Sequence, residues 1–142
     1  MADGNEGEGH IADAKAGVSE LINCALVVDD EFLIAEGLRV QLEDMGIAVC
    51  AVAATAQDAI ALAIQYDPRL VLMDMRLKGD GDGVDAAIAI HRQVGSKIIF
   101  ITGSREQETL DRINSDHPAA TLFKPVSPFQ LRRTIERVMT AQ

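Results

Sequence analysis

The sequence predicts an α/β domain in which five parallel strands form one doubly wound sheet. Short apolar segments alternate five times with segments of helical periodicity, and the apolar segments are nearly continuous in Val, Ile and Leu. Such uninterrupted runs are typical of strands that are buried on both faces, as in a parallel sheet. The common order of a five-stranded doubly wound sheet is 2-1-3-4-5, so we expect that order here.

The predicted strands are spaced so that one helix fits between each pair. They are Cys24–Val28, Ile47–Ala53, Leu70–Met73, Lys97–Ile101 and Ala119–Phe123.

Sequence signals mark the ends of most of the predicted helices. The first helix ends at Gly46, and the second begins at Thr55 and ends before an Asp-Pro pair. Capping-box patterns predict that the fourth begins at Ser104 and the fifth at Ser127. The third, at about 83–94, has the weakest signals. The first helix carries an apolar stripe of Phe32, Ala35, Leu38, Leu42 and Met45.

Length, composition and charge predict one soluble domain. The 142 residues are 48% hydrophobic and 25% charged, which is typical of a globular fold. A net charge of −9 disfavours nucleic acid and anionic membrane surfaces as partners. Neither a membrane-spanning run nor a secretory signal is present, so we expect the cytoplasm. Residues 23–142 should form the domain, and residues 1–22 either a disordered tail or a short leader helix.

Polar side chains follow four of the five predicted strands, where each strand ends. Strand one ends in Asp29-Asp30, strand three in Asp74, strand four in Thr102 and strand five in Lys124. In the order 2-1-3-4-5 these four strands are neighbours, and their carboxyl ends lie at one edge of the sheet. We therefore expect three carboxylates, a hydroxyl and an ammonium group to share one pocket.

The chemistry of that pocket points to a divalent metal and a phosphoryl group. Clustered carboxylates raise one another's pKa and need a compensating cation. An all-oxygen set without sulfur or imidazole suits Mg²⁺, with Mn²⁺ as an alternative. A carboxylate beside such an ion can act as a nucleophile on phosphorus. Lys124, Thr102 and the metal would each take one equatorial phosphoryl oxygen.

From about Cys24 to Met139 the chain resembles the receiver domain of bacterial two-component response regulators, in its single-domain, chemotaxis-regulator-like form. The motifs that carry the resemblance are Ala-Leu-Val-Val-Asp-Asp-Glu, Val-Leu-Met-Asp-Met-Arg-Leu, Asp-Gly-Val-Asp-Ala-Ala, Ile-Ile-Phe-Ile-Thr-Gly and Leu-Phe-Lys-Pro. The resemblance implies a flavodoxin-like (βα)5 fold.

The resemblance also implies roles for the residues of the pocket. Asp74 would be the phosphoacceptor and would share the metal with Asp30 as a direct ligand. Asp29 would hold the ion largely through water, and the backbone carbonyl of Arg76 would complete the protein ligands.

Further roles follow from the same resemblance for strands four and five. Thr102 would be the switch hydroxyl and Lys124 the lysine that pairs with the phosphoryl group. The peptide bond before Pro125 would be cis.

Two flanking positions would tune the lifetime of the phosphoryl group. Arg76 lies two residues beyond the acceptor, and Ser104 lies two residues beyond the switch threonine. In the family, the residues at these positions flank the path of the attacking water. The arginine could shield the site, pair with Asp80 or Asp82, or remain solvated.

Two positions depart from the family pattern. Thr121 stands where the family usually has an inward-turning Tyr or Phe, three residues before the lysine. Phe123 points to the same face of the strand. It either takes over part of the role of that inward-turning aromatic residue or is a core residue. Gly103 replaces the usual Ala after the switch threonine and would loosen the start of the fourth helix.

The implied function is a phosphorylation-dependent signalling switch. A histidine kinase or histidine phosphotransfer protein would present phosphohistidine, and the domain itself would catalyse transfer and autodephosphorylation without being an enzyme otherwise. The added charge of about −1.5 to −2 would shift a surface around helix four, strand five and helix five, which a protein effector would read. We expect a stand-alone receiver, either a monomer or a phosphorylation-dependent dimer.

Other functions stay open at this point. A phosphate shuttle or sink would use the same residues, and a phosphorylation-independent scaffold would not need the intact acid set. A phosphatase of the haloacid dehalogenase type would carry its nucleophile on strand one and a second Asp two residues later, whereas Arg76 lies two residues after Asp74. A flavodoxin-type binding module would need a hydroxyl- and Gly-rich loop after strand one, and none follows.

Overall fold

The parallel sheet has the predicted order β2-β1-β3-β4-β5 in the computed structural model, which describes residues 17–141. Each predicted strand is confirmed to within two residues at either end. The strands are Ala25–Val28 (β1), Val49–Ala53 (β2), Leu70–Asp74 (β3), Lys97–Thr102 (β4) and Ala120–Phe123 (β5). The helices are Phe32–Asp44 (α1), Ala56–Tyr66 (α2), Gly83–Gln93 (α3), Gln107–Asn114 (α4) and Pro128–Thr140 (α5), and residues 17–20 are also helical.

Two hydrophobic clusters cover the two faces of the sheet. Helices α1 and α5 pack on one face, and α2, α3 and α4 on the other. The central strands β1, β3 and β4 are buried almost throughout, as predicted. The outer strands β2 and β5 are only half-buried, because each has a neighbour on one side alone. Across residues 17–141, no helix combines the length and apolar character needed to cross a membrane.

The N-terminal part of the described chain packs against the α1–α5 face. Ile22 is buried in that cluster and Val18 contacts it, so the core includes residues that precede position 23. The predicted tail or leader helix lies mostly in residues 1–16, outside the described residues.

The predicted apolar stripe of α1 is wrong at its first residue, Phe32. Ala35, Leu38 and Leu42 are buried as expected, but Phe32 is 72% exposed and the adjacent Leu33 is 80% exposed. The first turn of α1 stands at the carboxyl edge of the sheet, where the strands have ended and offer no surface to pack against. These two side chains therefore form an apolar rim beside that edge.

The predicted start of α4 at Ser104 is also wrong, since the helix begins at Gln107. The Ser104 hydroxyl accepts a hydrogen bond from the Glu106 N–H (3.2 Å), and Thr102 Oγ1 accepts one from the Ser104 N–H (3.1 Å). These local side-chain contacts satisfy the backbone donors and hold residues 103–106 out of the helix.

Helices α3 and α5 begin with side-chain caps. Ser127 accepts a hydrogen bond from the Gln130 N–H at the start of α5, as the sequence predicts. Asp82 and Asp85 form a reciprocal capping box at the start of α3, the helix with the weakest sequence signals. The cap fixes the loop that leaves the carboxyl end of β3.

Gly83 is the point of closest approach between that loop and β3. Its N–H donates to the Met75 carbonyl (2.8 Å), and a Cβ at this position would collide with the backbone carbonyl of Asp74. Because the obstacle is backbone, it cannot rotate away.

We therefore expect Gly83→Ala to lower the free energy of unfolding by about 1 to 3 kcal/mol, the usual range for overpacking. Gly37→Ala is the matched control, because a Cβ at that position of α1 would meet no atom within 4 Å. That change should raise stability by up to about 1 kcal/mol through helix propensity. Urea denaturation measures both, and equal stabilities for the two variants would contradict the close approach.

Candidate functional site

A cleft of about 580 Å³ opens at the carboxyl edge of the sheet. The ends of β1, β3, β4 and β5 contribute to it, which are the four strand ends that the sequence predicts to converge. Its lining includes Asp30, Glu31, Asp74, Arg76, Thr102, Gly103, Ser104 and Lys124. Asp29 lies beneath these residues and is 3% exposed.

Three consecutive carboxylates after β1 form an acidic cluster. Asp29, Asp30 and Glu31 can each offer an oxygen such that the three atoms lie within 4.8 Å of one another. The Glu31 N–H donates to Asp29 Oδ1 (2.9 Å) and fixes that carboxylate. Glu31 does not belong to the predicted ligand set, although its place directly after the Asp-Asp pair is a signal that could have found it.

Lys124 joins this cluster to Asp74. Its Nζ lies 3.3 Å from Asp74 Oδ1, 3.2 Å from Asp29 Oδ2 and 3.8 Å from Glu31 Oε1. Burial alone would lower the pKa of Lys124, but the charges of Asp74 and Asp29 outweigh it and raise that pKa above its ordinary value. The lysine is therefore a permanent cation that two buried carboxylates share.

Asp74 is only 6% exposed, and its carboxyl group titrates far from its ordinary range. Burial raises the pKa of Asp74 to about 6, with the charge of Asp29 acting in the same direction and Lys124 opposing both. One ammonium group thus does not compensate the negative charge of the pocket.

The donor set fits Mg²⁺. Asp29 Oδ2 is buried and receives no hydrogen bond, although Lys124 Nζ lies near it, so this oxygen retains lone pairs for a ligand. Carboxylates of the acidic cluster and Asp74 supply the hard oxygen atoms that Mg²⁺ prefers. Neither sulfur nor imidazole belongs to the cluster.

Thr102 lies at the end of β4 and is 2% exposed. Its Oγ1 accepts from the Ser104 N–H, which leaves the hydroxyl proton for donation into the cleft. Gly103 is exposed, and a Cβ there would meet no atom within 4 Å, so the family's usual alanine would fit.

Within residues 17–141, Arg76 forms no ion pair with either Asp80 or Asp82, so that alternative is wrong. Asp82 is held instead by Arg112 of α4, whose Nε and Nη2 donate to its two oxygens at 2.9 and 3.0 Å. Burial would raise the pKa of Asp82, but the hydrogen bonds and charge of Arg112, together with the hydrogen bonds of Asp85, outweigh it and lower that pKa. Arg112 also reaches Asp85 at 3.0 Å. Thirty residues separate Arg112 from Asp82, which is why local sequence reading misses the pair.

Strand β5 presents Thr121 and Phe123 on the α4 side of the sheet, since Leu122 between them packs on the α1–α5 side. Thr121 is half-buried. Phe123 is half-buried too and belongs to neither of the two hydrophobic clusters. The guanidinium carbon of Arg105 lies over its ring, 4.0 Å from the centroid. The Lys124–Pro125 peptide bond is cis, as the resemblance implies.

Residues 25–136 match the family model described as the response regulator receiver domain. Among curated proteins, the transcriptional regulatory protein PdtaR of Mycobacterium tuberculosis is 31% identical over 128 residues, which cover 90% of this chain and 60% of that protein. The phyllosphere-induced regulator PhyR of Methylorubrum extorquens is 30% identical over 118 residues, covering 82% of this chain and 43% of that protein. The chain thus spans between two fifths and three fifths of these relatives.

Solved structures agree with the family match. The signal receiver domain of a modulated diguanylate cyclase from Desulfovibrio desulfuricans superposes with a TM-score of 0.77 at 36% identity, over 81% of this chain and 91% of that one. The receiver domain of PhyR from Erythrobacter litoralis gives 0.73 at 29% identity, over 84% and 91% of the two chains.

The raised pKa of Asp74 has a consequence for stability in the absence of divalent cations. Burial favours the protonated carboxyl group of Asp74 in the folded state. The contribution of this group to the free energy of unfolding is therefore fully present below the unfolded-state pKa of 3.8, and it is lost as the pH rises through about 6. Asp74→Asn removes the charge, so we expect it to raise the free energy of unfolding by about 2 to 3 kcal/mol at pH 7, with a gap that narrows towards pH 4.

Urea denaturation in EDTA from pH 4 to pH 8 measures this effect. Asp80→Asn removes the same charge from the exposed loop and should leave stability unchanged. A gap between Asp74→Asn and the wild type that stays constant with pH would contradict the prediction.

Proposed function

Because the chain belongs to the family of response regulator receiver domains of two-component signalling, we propose that it is a phosphorylation-dependent switch whose phosphoacceptor is Asp74. The family is one of signalling domains, and the activity proposed here is limited to phosphoryl acceptance and autodephosphorylation. The observation that carries the proposal is the shared contact of Lys124 with Asp74 and Asp29 in one buried acidic pocket.

The proposed reaction transfers a phosphoryl group from a phosphohistidine to Asp74. A carboxylate oxygen forms the new O–P bond as the N–P bond to the donor imidazole breaks, and the product is an acyl phosphate. Lys124 would pair with one equatorial oxygen, and the Thr102 hydroxyl would donate to another. Asp29, Asp30, Asp74 and the backbone carbonyl of Arg76 would hold Mg²⁺, which would supply charge neutralisation for the phosphoryl oxygens.

Hydrolysis of the acyl phosphate would restore Asp74 and end the signal. Arg76 and Ser104 both line the cleft, and Arg76 is exposed without an ion pair to any described residue. A guanidinium at that position would hinder the approach of water to the phosphoryl group. We infer that these two residues set the phosphoryl lifetime.

The phosphodonor would contact the apolar rim of α1. Lys124 lines the acidic cleft and also a second groove of about 440 Å³, together with Leu33, Ile34, Pro125 and Val126. A phosphohistidine must come within bonding distance of Asp74, so the protein that carries it must lie over the adjacent surface. Leu33 is 80% exposed and would be buried by a histidine kinase or a phosphotransfer protein.

The signal would leave through the surface formed by α4, β5 and α5. The curated relatives include transcriptional regulators, but this chain spans only part of their length. The partner proposed for this surface is a protein effector.

Labelling with acetyl phosphate and Mg²⁺ tests the phosphoacceptor. We expect the wild type to gain one phosphoryl group by intact mass and Asp74→Asn to gain none, because the nucleophile is absent. Asp80→Asn, with the same change in the nearby loop, should label like the wild type, and EDTA should abolish labelling. Equal labelling of Asp74→Asn and the wild type would refute the assignment.

Phosphotransfer from the host's autophosphorylated histidine kinases tests the α1 rim. Leu33→Asp should slow transfer from the kinase that reacts fastest with the wild type by about tenfold, as expected when an apolar side chain is removed from the core of an interface. Its labelling by acetyl phosphate should not change, because the small donor needs no docking surface. Ile64→Asp on the exposed side of α2 is the control and should leave both rates unchanged. An unimpaired transfer to Leu33→Asp would place the donor elsewhere.

A further inference from the structure

Arg105 and Phe123 form a stacked pair directly beside the switch threonine. The guanidinium carbon of Arg105 lies 4.0 Å above the centre of the Phe123 ring, which is close contact for a cation–π pair. Arg105 belongs to the loop between β4 and α4, and Phe123 ends β5. The pair therefore bridges a loop and a strand that are far apart in the sequence.

The backbone connects both members of this pair to Thr102. Phe123 is the register partner of Thr102, and the Lys124 N–H donates to the Thr102 carbonyl (2.8 Å). On the loop side, Arg105 follows Thr102 by three residues. Thr102, the loop and the stacked pair are thus connected to one another in a closed circuit of contacts.

The Thr102 hydroxyl also determines the conformation of that loop. Its oxygen accepts from the Ser104 N–H, and the Ser104 hydroxyl then accepts from the Glu106 N–H. Both contacts hold residues 103–106 in the conformation that places Arg105 over the ring. A reorientation of the Thr102 side chain would remove the first of these acceptors and with it the support for the loop.

We propose that the Arg105–Phe123 stack is the movable element of the switch in this chain. It would take the role of the inward-turning aromatic residue that the family usually has at the position of Thr121. The inference rests on the proposed phosphorylation of Asp74. When Thr102 turns its hydroxyl towards the phosphoryl group, the Ser104 N–H loses its acceptor, the loop shifts and Arg105 leaves the ring. Phe123 itself stays in β5, and its uncovered face becomes an apolar contact point between α4 and α5.

The sequence contains no tryptophan, so Phe123→Trp introduces a single tryptophan as a fluorescent reporter at the position of the ring. We expect beryllofluoride with Mg²⁺, an analogue of the phosphoryl group, to raise its acrylamide quenching constant about twofold, because one of the two ring faces loses its cover. Phe129→Trp is the matched control: Arg133 lies over that ring at 5.6 Å, but both members of that pair belong to α5 rather than to the loop. Its quenching should not change.

Substitutions of Arg105 in the Phe123→Trp background test the other member of the pair. Arg105→Ala should show the higher quenching without beryllofluoride and no further response to it, while Arg105→Lys should lie between the two levels. Arg105→Ala should still gain one phosphoryl group from acetyl phosphate, since Arg105 has no place among the proposed phosphoryl ligands. In the unsubstituted protein, NMR resonances of the Phe123 ring should shift with beryllofluoride, which controls for effects of the larger indole.

Fluorine NMR of bound beryllofluoride separates the two ways in which the inference can fail. If beryllofluoride binds but the quenching and the Phe123 resonances stay unchanged, the stack is not the switch element and the phosphoacceptor assignment stands. If beryllofluoride fails to bind the wild type, the phosphoacceptor assignment fails and this inference fails with it.

Discussion

Asp29 and Asp74 are both buried at the carboxyl edge of the sheet, and they share the ammonium group of Lys124. Burying a carboxylate is costly unless a cation or hydrogen bonds compensate it. Three strands meet in this contact, since Asp29 follows β1, Asp74 ends β3 and Lys124 follows β5. The contact therefore joins three strand ends at the edge of the sheet on which the proposed function depends.

One ammonium group is not enough for this pocket. The pKa of Asp74 stays raised to about 6 although Lys124 lies 3.3 Å away, and Glu31 and Asp30 add further negative charge at the surface. A pocket with an excess of negative charge favours a divalent cation. We expect the same imbalance to lower the free energy of unfolding, which is a common consequence of placing a functional site in a folded protein.

Two routes connect this pocket to α4. One runs from Thr102 through the hydroxyl contacts of the following loop to Arg105 and the Phe123 ring. The other runs from the loop after Asp74, where Asp82 both caps α3 and binds Arg112 of α4. A short helix of eight residues held by such polar contacts, with Ile113 as its buried side chain, can move at lower cost than α1 or α5.

The strands, their order and the convergence of Asp29, Asp74, Thr102 and Lys124 were predictable from the sequence alone, because apolar runs and strand ends are local features and parallel topology brings the ends together. It failed where side chains choose partners across the fold. The predicted helix start at Ser104 was wrong because hydroxyls of the loop satisfy the backbone donors before the helix begins. The predicted burial of Phe32 was wrong because the sheet ends beneath this residue. The pairing of Arg112 with Asp82 and of Arg105 with Phe123 became visible only in the folded chain, since long, flexible arginine side chains can reach many partners and packing alone selects which one lies within range.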